Sequence, residues 1–291
     1  MFIQPFANNE FLRLSLVAGI LVAVTCAIAG TFVVLRGLAF IGDALAHGVL
    51  PGIATAMLLG VSGIFGAALG ALVMMGGVNF VSRRFRLSGD TAIGLLFVGM
   101  LALGVMITSR SRTFVGDLSR ILFGELLGVN SGDLVLQLVA LVIVGAIAFI
   151  ARRPFLLLCV DEGLAKTSGF SSRLFHNLML MIVAVTVIAS FQTVGTLLVL
   201  GMLIAPAATG ALFARRISMM IFIASLVGSI STYIGLLISY HFDLAAGASI
   251  VLTAVLIFAI AATYTEIKKV TADNGHNEHE HPHTHAGTHI K

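Results

Sequence analysis

The stretch FLRLSLVAGILVAVTCAIAGTFVVL, residues 11–35, decides the class of fold, because it carries no charged side chain after Arg13. A helix of about 20 consecutive apolar residues is long enough to cross the hydrocarbon core of a bilayer. The stretch therefore predicts a transmembrane helix near the start of the chain.

The same apolar character extends over the whole chain of 291 residues. Hydrophobic residues make up 58% and charged residues 10%, and the mean hydropathy is +1.07. Soluble domains are about a quarter charged, so the composition excludes that class. It predicts an all-α fold, a polytopic membrane bundle of about eight to nine transmembrane helices. The further predicted spans are 38–60, 62–81, 90–108, 133–150, 174–200, 217–239 and 244–264.

One apolar piece, residues 202–214, is shorter than the others and contains Pro206. Proline interrupts helical hydrogen bonding, so we predict a short, broken or re-entrant segment that other helices bury. The predicted membrane domain covers residues 1–270, and residues 271–291 form a disordered tail.

Basic residues predict the orientation, because loops on the cytoplasmic side are enriched in lysine and arginine. One crossing per segment then places the N-terminus outside and the C-terminus inside. Arg110, Arg112 and Arg120 fall on the outer side and violate the rule. The net charge of +4 reflects these membrane flanks, so we expect contact with lipid and no binding of nucleic acid. The basic residues assigned to the cytoplasmic side are Arg36, Arg83, Arg84, Arg86, Arg152, Arg153, Lys166, Arg173, Arg215, Arg216, Lys268 and Lys269.

Asp43 and His47 are the only ionisable residues between positions 37 and 82, and they lie in the segment GDALAHGVLPG at 42–52. Four positions apart on a helix, they share one face about one turn apart. A carboxylate within a bilayer is costly unless it faces a cavity or a partner, so it indicates a functional site.

Three interpretations of this pair stay open. The two side chains could lock a pair of helices together, relay protons, or bind a divalent metal ion. A carboxylate oxygen and an imidazole nitrogen form a partial ligand set for such an ion. Pro51, one turn further on, predicts a kink and a freed backbone carbonyl, as in the broken helices of transport sites. We favour metal transit.

The end of the chain, HNEHEHPHTHAGTHIK, is rich in histidine and has no apolar periodicity. Such a composition cannot form a core and predicts a disordered, metal-collecting tail. Imidazole favours zinc, copper or nickel over magnesium or calcium, so we expect zinc, with manganese next. The predicted tail ligands are His276, His279, His281, His283, His285 and His289.

A polar, glycine-punctuated segment at 161–169 follows a basic stretch and is long enough for a short helix at the membrane surface. Lys166 and Thr167 do not form a phosphate-binding loop, because Ala165 stands where that motif requires glycine. No motif of a metal-dependent or serine hydrolase occurs either. The sequence therefore predicts neither a nucleotide site nor an enzyme.

Four segments, in this order along the chain, resemble the zinc/manganese ABC-importer permease family: GDALAHGVLPG, LFGELLGV at 122–129, DEGLAKTSGF at 161–170 and TVGTLLVLGMLIAPAAT at 193–209. The resemblance runs from the first span to the last, and the first and fourth segments are its most specific parts. It implies a homodimeric channel in the bacterial plasma (inner) membrane. It also implies an extracytoplasmic metal-binding protein as donor and a cytoplasmic ABC ATPase dimer as motor.

By this resemblance, Asp43 and His47 fall on the transport-path motif, and 161–169 falls on the loop whose helix docks into the ATPase. The implied permease binds no cofactor permanently. It passes Zn²⁺ or Mn²⁺, and ATP and magnesium are bound only by the partner. The transport site could lie within one protomer or be shared by two. A secondary metal/proton transporter is the alternative. The implied coupling residues are Asp161, Glu162, Ala165, Lys166 and Gly169.

Overall fold

The structure is a computed structural model that describes residues 9–85, 87–109 and 128–277. Within these ranges it describes the side chains except those of Arg83, Glu162, Gln192 and residues 269–277. Several predictions lie outside the described residues. They concern Arg86, Arg110, Arg112, Arg120, the segment 122–127 and the tail histidines His279, His281, His283, His285 and His289.

The described chain forms helices joined by short connections, and apolar runs bounded by glycine, proline or charged residues set their limits. The helices are α1 (Glu10–Leu35), α2 (Phe40–Gly48), α3 (Leu50–Leu58), α4 (Gly63–Phe85), α5 (Gly89–Thr108), α6 (Ser131–Ile150), α7 (Arg152–Val160), α8 (Glu162–Thr167), α9 (Ser172–Val194), α10 (Thr196–Phe213), α11 (Ile217–Phe242) and α12 (Ala246–Asn277).

In the part of the chain that the structure describes, nine segments are long and apolar enough to cross a membrane. The helices α2 and α3 together form one of them, Phe40–Leu58, and the short helices α7 and α8 form none. The predicted all-α membrane bundle is confirmed. Nine crossings would put the two ends of the chain on opposite sides of the bilayer.

The prediction of a short segment beginning at residue 202 is wrong. The helix α10 begins at Thr196 and, with 18 residues, is itself a candidate span. The break lies at Gly195, whose φ of +80° ends α9. Only glycine adopts this conformation readily, and the unbroken apolar run around Gly195 concealed the break from hydropathy. Pro206 lies inside α10.

The last helix also differs from its predicted extent. Its candidate span ends at Lys268, but α12 continues beyond residue 270 to Asn277. The backbone of His276 is therefore part of this helix. The remaining five histidines of the tail lie outside the described residues.

The helix α1 lies at the centre of the bundle. It packs against α6, α9, α10 and α11, and α12 covers α10 and α11 from the other side. A second group is formed by α2 to α5, in which α2 contacts α4 and α5 as well as α9 and α10. The helix that carries Asp43 and His47 thus joins the second group to α9 and α10 of the first.

Glycines permit the closest helix contacts, as the GxxxG spacing of Gly66 and Gly70 predicts. A Cβ atom at Gly66 would overlap the carbonyl oxygen of Gly52, and one at Gly70 would lie 2.9 Å from the Cα of Val49. These contacts fix α4 against the segment that follows His47. By contrast, a Cβ at Gly76 would meet nothing within 4 Å.

We predict that Gly66→Ala destabilises the bundle by about 1–3 kcal/mol, because backbone must move to admit one methyl group. The matched control is Gly76→Ala on the same helix. It should be neutral or slightly stabilising, since alanine is the better helix former. The apparent melting temperature in detergent measures both effects, and equal shifts in the two variants would contradict the packing described.

Candidate functional site

The helix α2 places Asp43 and His47 on the only stripe of its surface that is not closed by packing. All residues from 41 to 50 except these two are buried. The side chains of Asp43 and His47 keep 32% and 18% of their surface exposed. The pair therefore opens towards space beside the bundle instead of filling its core.

The distance between the two side chains suits two ligands of one ion. His47 Nε2 lies 3.4 Å from Asp43 Oδ1, which is longer than an ordinary N–H···O hydrogen bond. Two ligands at about 2.0–2.1 Å from a tetrahedral ion are about 3.3 Å apart. Helix geometry alone thus sets the pair near ligand spacing.

The second ring nitrogen of His47 is unusual. Nδ1 is buried and has no hydrogen-bond partner among the described residues. Phe97 of α5 packs edge-on against the imidazole, with ring centres 5.5 Å apart. Packing therefore orients the ring. Leaving this buried polar atom unpaired is costly.

The ligand set is incomplete within the described chain. No group of three or more histidine, cysteine, aspartate or glutamate residues is assembled among the described residues. A tetrahedral or octahedral ion needs four to six donors, so Asp43 and His47 supply only part of a coordination sphere.

Each of the two prolines predicted to shape the path lies in or beside a buried helix. Helix α2 ends at Gly48 and α3 begins at Leu50, with Val49 between them. Pro51 follows in the first turn of α3. Proline there cannot donate a hydrogen bond to the carbonyl of His47. Pro206 is buried within α10, a helix that contacts α2.

A cavity of about 400 Å³ lies at the start of α2. Ile41, two positions before Asp43, lines it together with Arg36 and His176. A guanidinium group can only donate, so Arg36 Nη1 donates a hydrogen bond of 2.7 Å to His176 Nδ1. The positive charge of Arg36 opposes a cation in this cavity, a feature that the sequence alone did not reveal.

The predicted surface helix exists as α8. Asp161 is its N-cap and accepts a hydrogen bond from the backbone N–H of Gly163. Its C-terminus is a Schellman motif: Gly169, at φ +80°, donates to the carbonyl of Lys166, and Phe170 N–H donates to that of Ala165.

The structure separates the predicted coupling residues into two groups. Ala165 is fully buried, so it faces the bundle and does not offer its side chain to a partner. Lys166 is exposed. Of Glu162 the structure describes the backbone, which begins α8. The residue that the sequence prediction missed is Leu164, which is 48% exposed. A lone large apolar residue in an otherwise polar helix was the available signal.

Cys159 lies in α7 beside this segment. Burial raises the pKa of its thiol, and Arg36 lowers that pKa by a smaller amount. Because the thiolate is the form that binds metal, the environment of Cys159 does not favour a ligand role.

Comparison with known proteins places the chain among transport proteins. A profile described as the ABC 3 transport family matches residues 8–265. The manganese transport system membrane protein MntC of Listeria innocua is 36% identical, over 90% of this chain and 93% of that protein. The chelated iron transport system membrane protein YfeD of Yersinia pestis is 35% identical, over 92% and 89%.

A solved structure supports the same relationship. PsaBC from Streptococcus pneumoniae in complex with Fab superposes with a TM-score of 0.80 at 34% identity. The match covers 89% of this chain and 94% of that chain.

We predict that Asp43→Asn weakens binding of Mn²⁺ to the purified protein at least tenfold, about 1.4 kcal/mol, because the amide keeps the shape but loses the charge. Asp90→Asn, at an exposed carboxylate at the start of α5, is the control. Equilibrium dialysis measures both on proteins truncated after Thr271, so that the histidines of the predicted tail do not contribute. Unchanged affinity in Asp43→Asn would exclude its carboxylate as a ligand.

Proposed function

The chain belongs to the ABC 3 transport family, and from this premise we propose that it forms the path by which a divalent transition-metal ion, manganese first, is imported. It is a multi-pass protein of the bacterial plasma membrane and a permease of the metal ABC-transporter type. The observation that carries the proposal is the partly exposed Asp43–His47 pair at ligand spacing.

The geometry favours ion transit over a structural pair. A structural pair would be closed by packing, whereas these side chains are partly exposed and stand at ligand spacing. For a proton-coupled secondary transporter we would expect acidic or histidine ligands on two or more spans. The described spans assemble no such cluster.

Manganese is the first candidate because relatives of this chain are named for manganese transport, and one is named for chelated iron. A mixed site of carboxylate oxygen and imidazole nitrogen accepts either ion. Zinc is the second candidate, favoured by the histidines of the sequence between 276 and 289. The ion is cargo, and we propose no permanently bound cofactor.

A second copy of the chain is part of the proposal. Asp43 and His47 supply two donors per chain, and a homodimer with the two pairs facing each other would supply four. Such a set would satisfy a tetrahedral ion or leave positions for water on an octahedral one. The partial exposure of both side chains supports this arrangement.

Two further partners follow from the function. A cytoplasmic ABC ATPase dimer, which binds the ATP and magnesium, would drive transport because the sequence shows no phosphate-binding loop. The capped helix α8, with Leu164 exposed, is the proposed contact with it. An extracytoplasmic metal-binding protein would deliver the ion at the other face.

The proposed function is tested by uptake into proteoliposomes that contain the permease and its ATPase. We expect ATP-dependent accumulation of Mn²⁺, with Zn²⁺ and Fe²⁺ compared at equal free concentration. Accumulation driven by a proton gradient in the absence of the ATPase would instead establish the secondary transporter.

We predict that Leu164→Asp lowers ATP-dependent uptake at least tenfold but leaves Mn²⁺ affinity unchanged, because a charge would be placed in the apolar contact with the ATPase. Leu244→Asp is the matched control, since Leu244 is 55% exposed and lies in the connection between α11 and α12. Equal loss of uptake in both variants would refute the docking role of α8.

A further inference from the structure

Four arginines converge on one cavity of about 550 Å³ that the transport path does not use. Arg152 and Arg153 come from the start of α7, and Arg215 and Arg216 come from the connection between α10 and α11. The two pairs are far apart in sequence, so the sequence showed two separate basic loops and not one site.

The charge of this cavity is not balanced by the described protein. No aspartate or glutamate lines it, and none of the four arginines makes a described ion pair. The guanidinium of Arg152 instead lies 5.3 Å from the ring centre of Phe149, a cation–π contact. Several like charges around a small cavity repel one another, and a bound anion would relieve that repulsion.

The cavity lies at the level where the membrane surface is expected. Its lining includes Leu35, the last residue of α1, and Ile217, the first residue of α11. The helices α6 and α10 also end beside it, at Ile150 and Phe213. Ends of membrane spans lie near the lipid head groups, and the basic residues predict that this is the cytoplasmic side.

The lining combines charge with apolar surface. Leu156 and Met220 contribute to the walls along with the arginines. Next to the cavity, Phe149, Ile150 and Phe213 are exposed large apolar residues, which continue the surface towards the depth of the acyl chains. This amphipathic character fits a ligand with an anionic head and an apolar body better than it fits a soluble anion.

We propose that this cavity binds an anionic glycerophospholipid of the cytoplasmic leaflet, with its phosphate among Arg152, Arg153, Arg215 and Arg216. Guanidinium groups bind phosphate oxygens in pairs and are weakly hydrated, which suits them to this ligand. The acyl chains lie along the apolar surface beside the cavity. The site is independent of the metal path.

The bound lipid braces the elements that hold the surface helix. The helix α7 begins in this cavity and packs directly against α8. A phosphate that bridges the start of α7 to the connection before α11 therefore stabilises the base on which α8 rests.

The test is native mass spectrometry of the detergent-purified permease–ATPase complex, incubated with phosphatidylglycerol or with phosphatidylcholine. We expect the wild-type complex to retain phosphatidylglycerol and not phosphatidylcholine. The double variant Arg153→Gln/Arg216→Gln should retain about tenfold less. The control Arg84→Gln, at an exposed arginine near the end of α4 outside the cavity, should behave as wild type. Equal retention by the double variant and the wild type would overturn the proposal.

A second measurement on the wild-type complex keeps the test decisive if the double variant folds poorly. Phosphatidylglycerol should raise the melting temperature, whereas glycerol 3-phosphate and inorganic phosphate at equal concentration should not. Stabilisation by the soluble phosphates to the same extent would assign the cavity to a free anion and overturn the lipid. Loss of the ATPase from the double variant without loss of lipid would assign the arginines to an acidic protein surface and also overturn it.

Discussion

A carboxylate held between apolar helices is the constraint on which this structure depends. A charged aspartate in a membrane helix is costly, up to roughly 2.5–3.5 kcal/mol at the helix centre on insertion scales, and Asp43 lies in the first turn of its span. The chain accepts this cost at Asp43 and places His47 one turn away, 3.4 Å between the nearest nitrogen and oxygen. On the proposed function, a cation between the two side chains would offset part of this cost, which would suit a site that must bind and release.

Helix packing connects the Asp43–His47 pair to α8, the proposed contact with the ATPase. The helix α2 contacts α9, and α9 contacts α8, so a single intervening helix joins the surface helix to the residues proposed to hold the ion. The close approach of Gly52 and Gly66 ties the segment after His47 to α4 in the same way. By such contiguous contacts a movement of α8 would reach the proposed ligands.

The sequence predicted those features that depend on neighbouring residues in the chain. Length and hydropathy located the spans, the i, i+4 spacing located the Asp43–His47 pair, and the polar, glycine-punctuated segment 161–169 located α8. Hydropathy failed at Gly195, where a backbone angle and not polarity ends a helix. That His47 Nδ1 has no partner among the described residues could be seen only from the positions of the surrounding helices.

The sequence likewise did not predict features that depend on tertiary contacts between separate elements. Ala165 and Leu164 are adjacent in sequence, yet one is fully buried and the other is exposed, because the tertiary contacts with α7 and α9 distinguish the two faces of α8. The four-arginine cavity joins two loops that the positive-inside rule treats separately. Each of these depends on packing between elements that are separate in the sequence.

The central claim, that His47 binds the transported ion, is tested most directly by electron spin-echo envelope modulation of Mn²⁺ bound to the purified protein, with wild type and variants all truncated after Thr271 to remove the histidines of the predicted tail. A nitrogen coordinated to Mn²⁺ gives a characteristic modulation. The account predicts this modulation in the wild type, its loss in His47→Gln, and its retention in His241→Gln, whose histidine contacts the carbonyl of Leu237 near the end of α11. Nitrogen modulation of equal depth in the wild type and in His47→Gln would contradict the account.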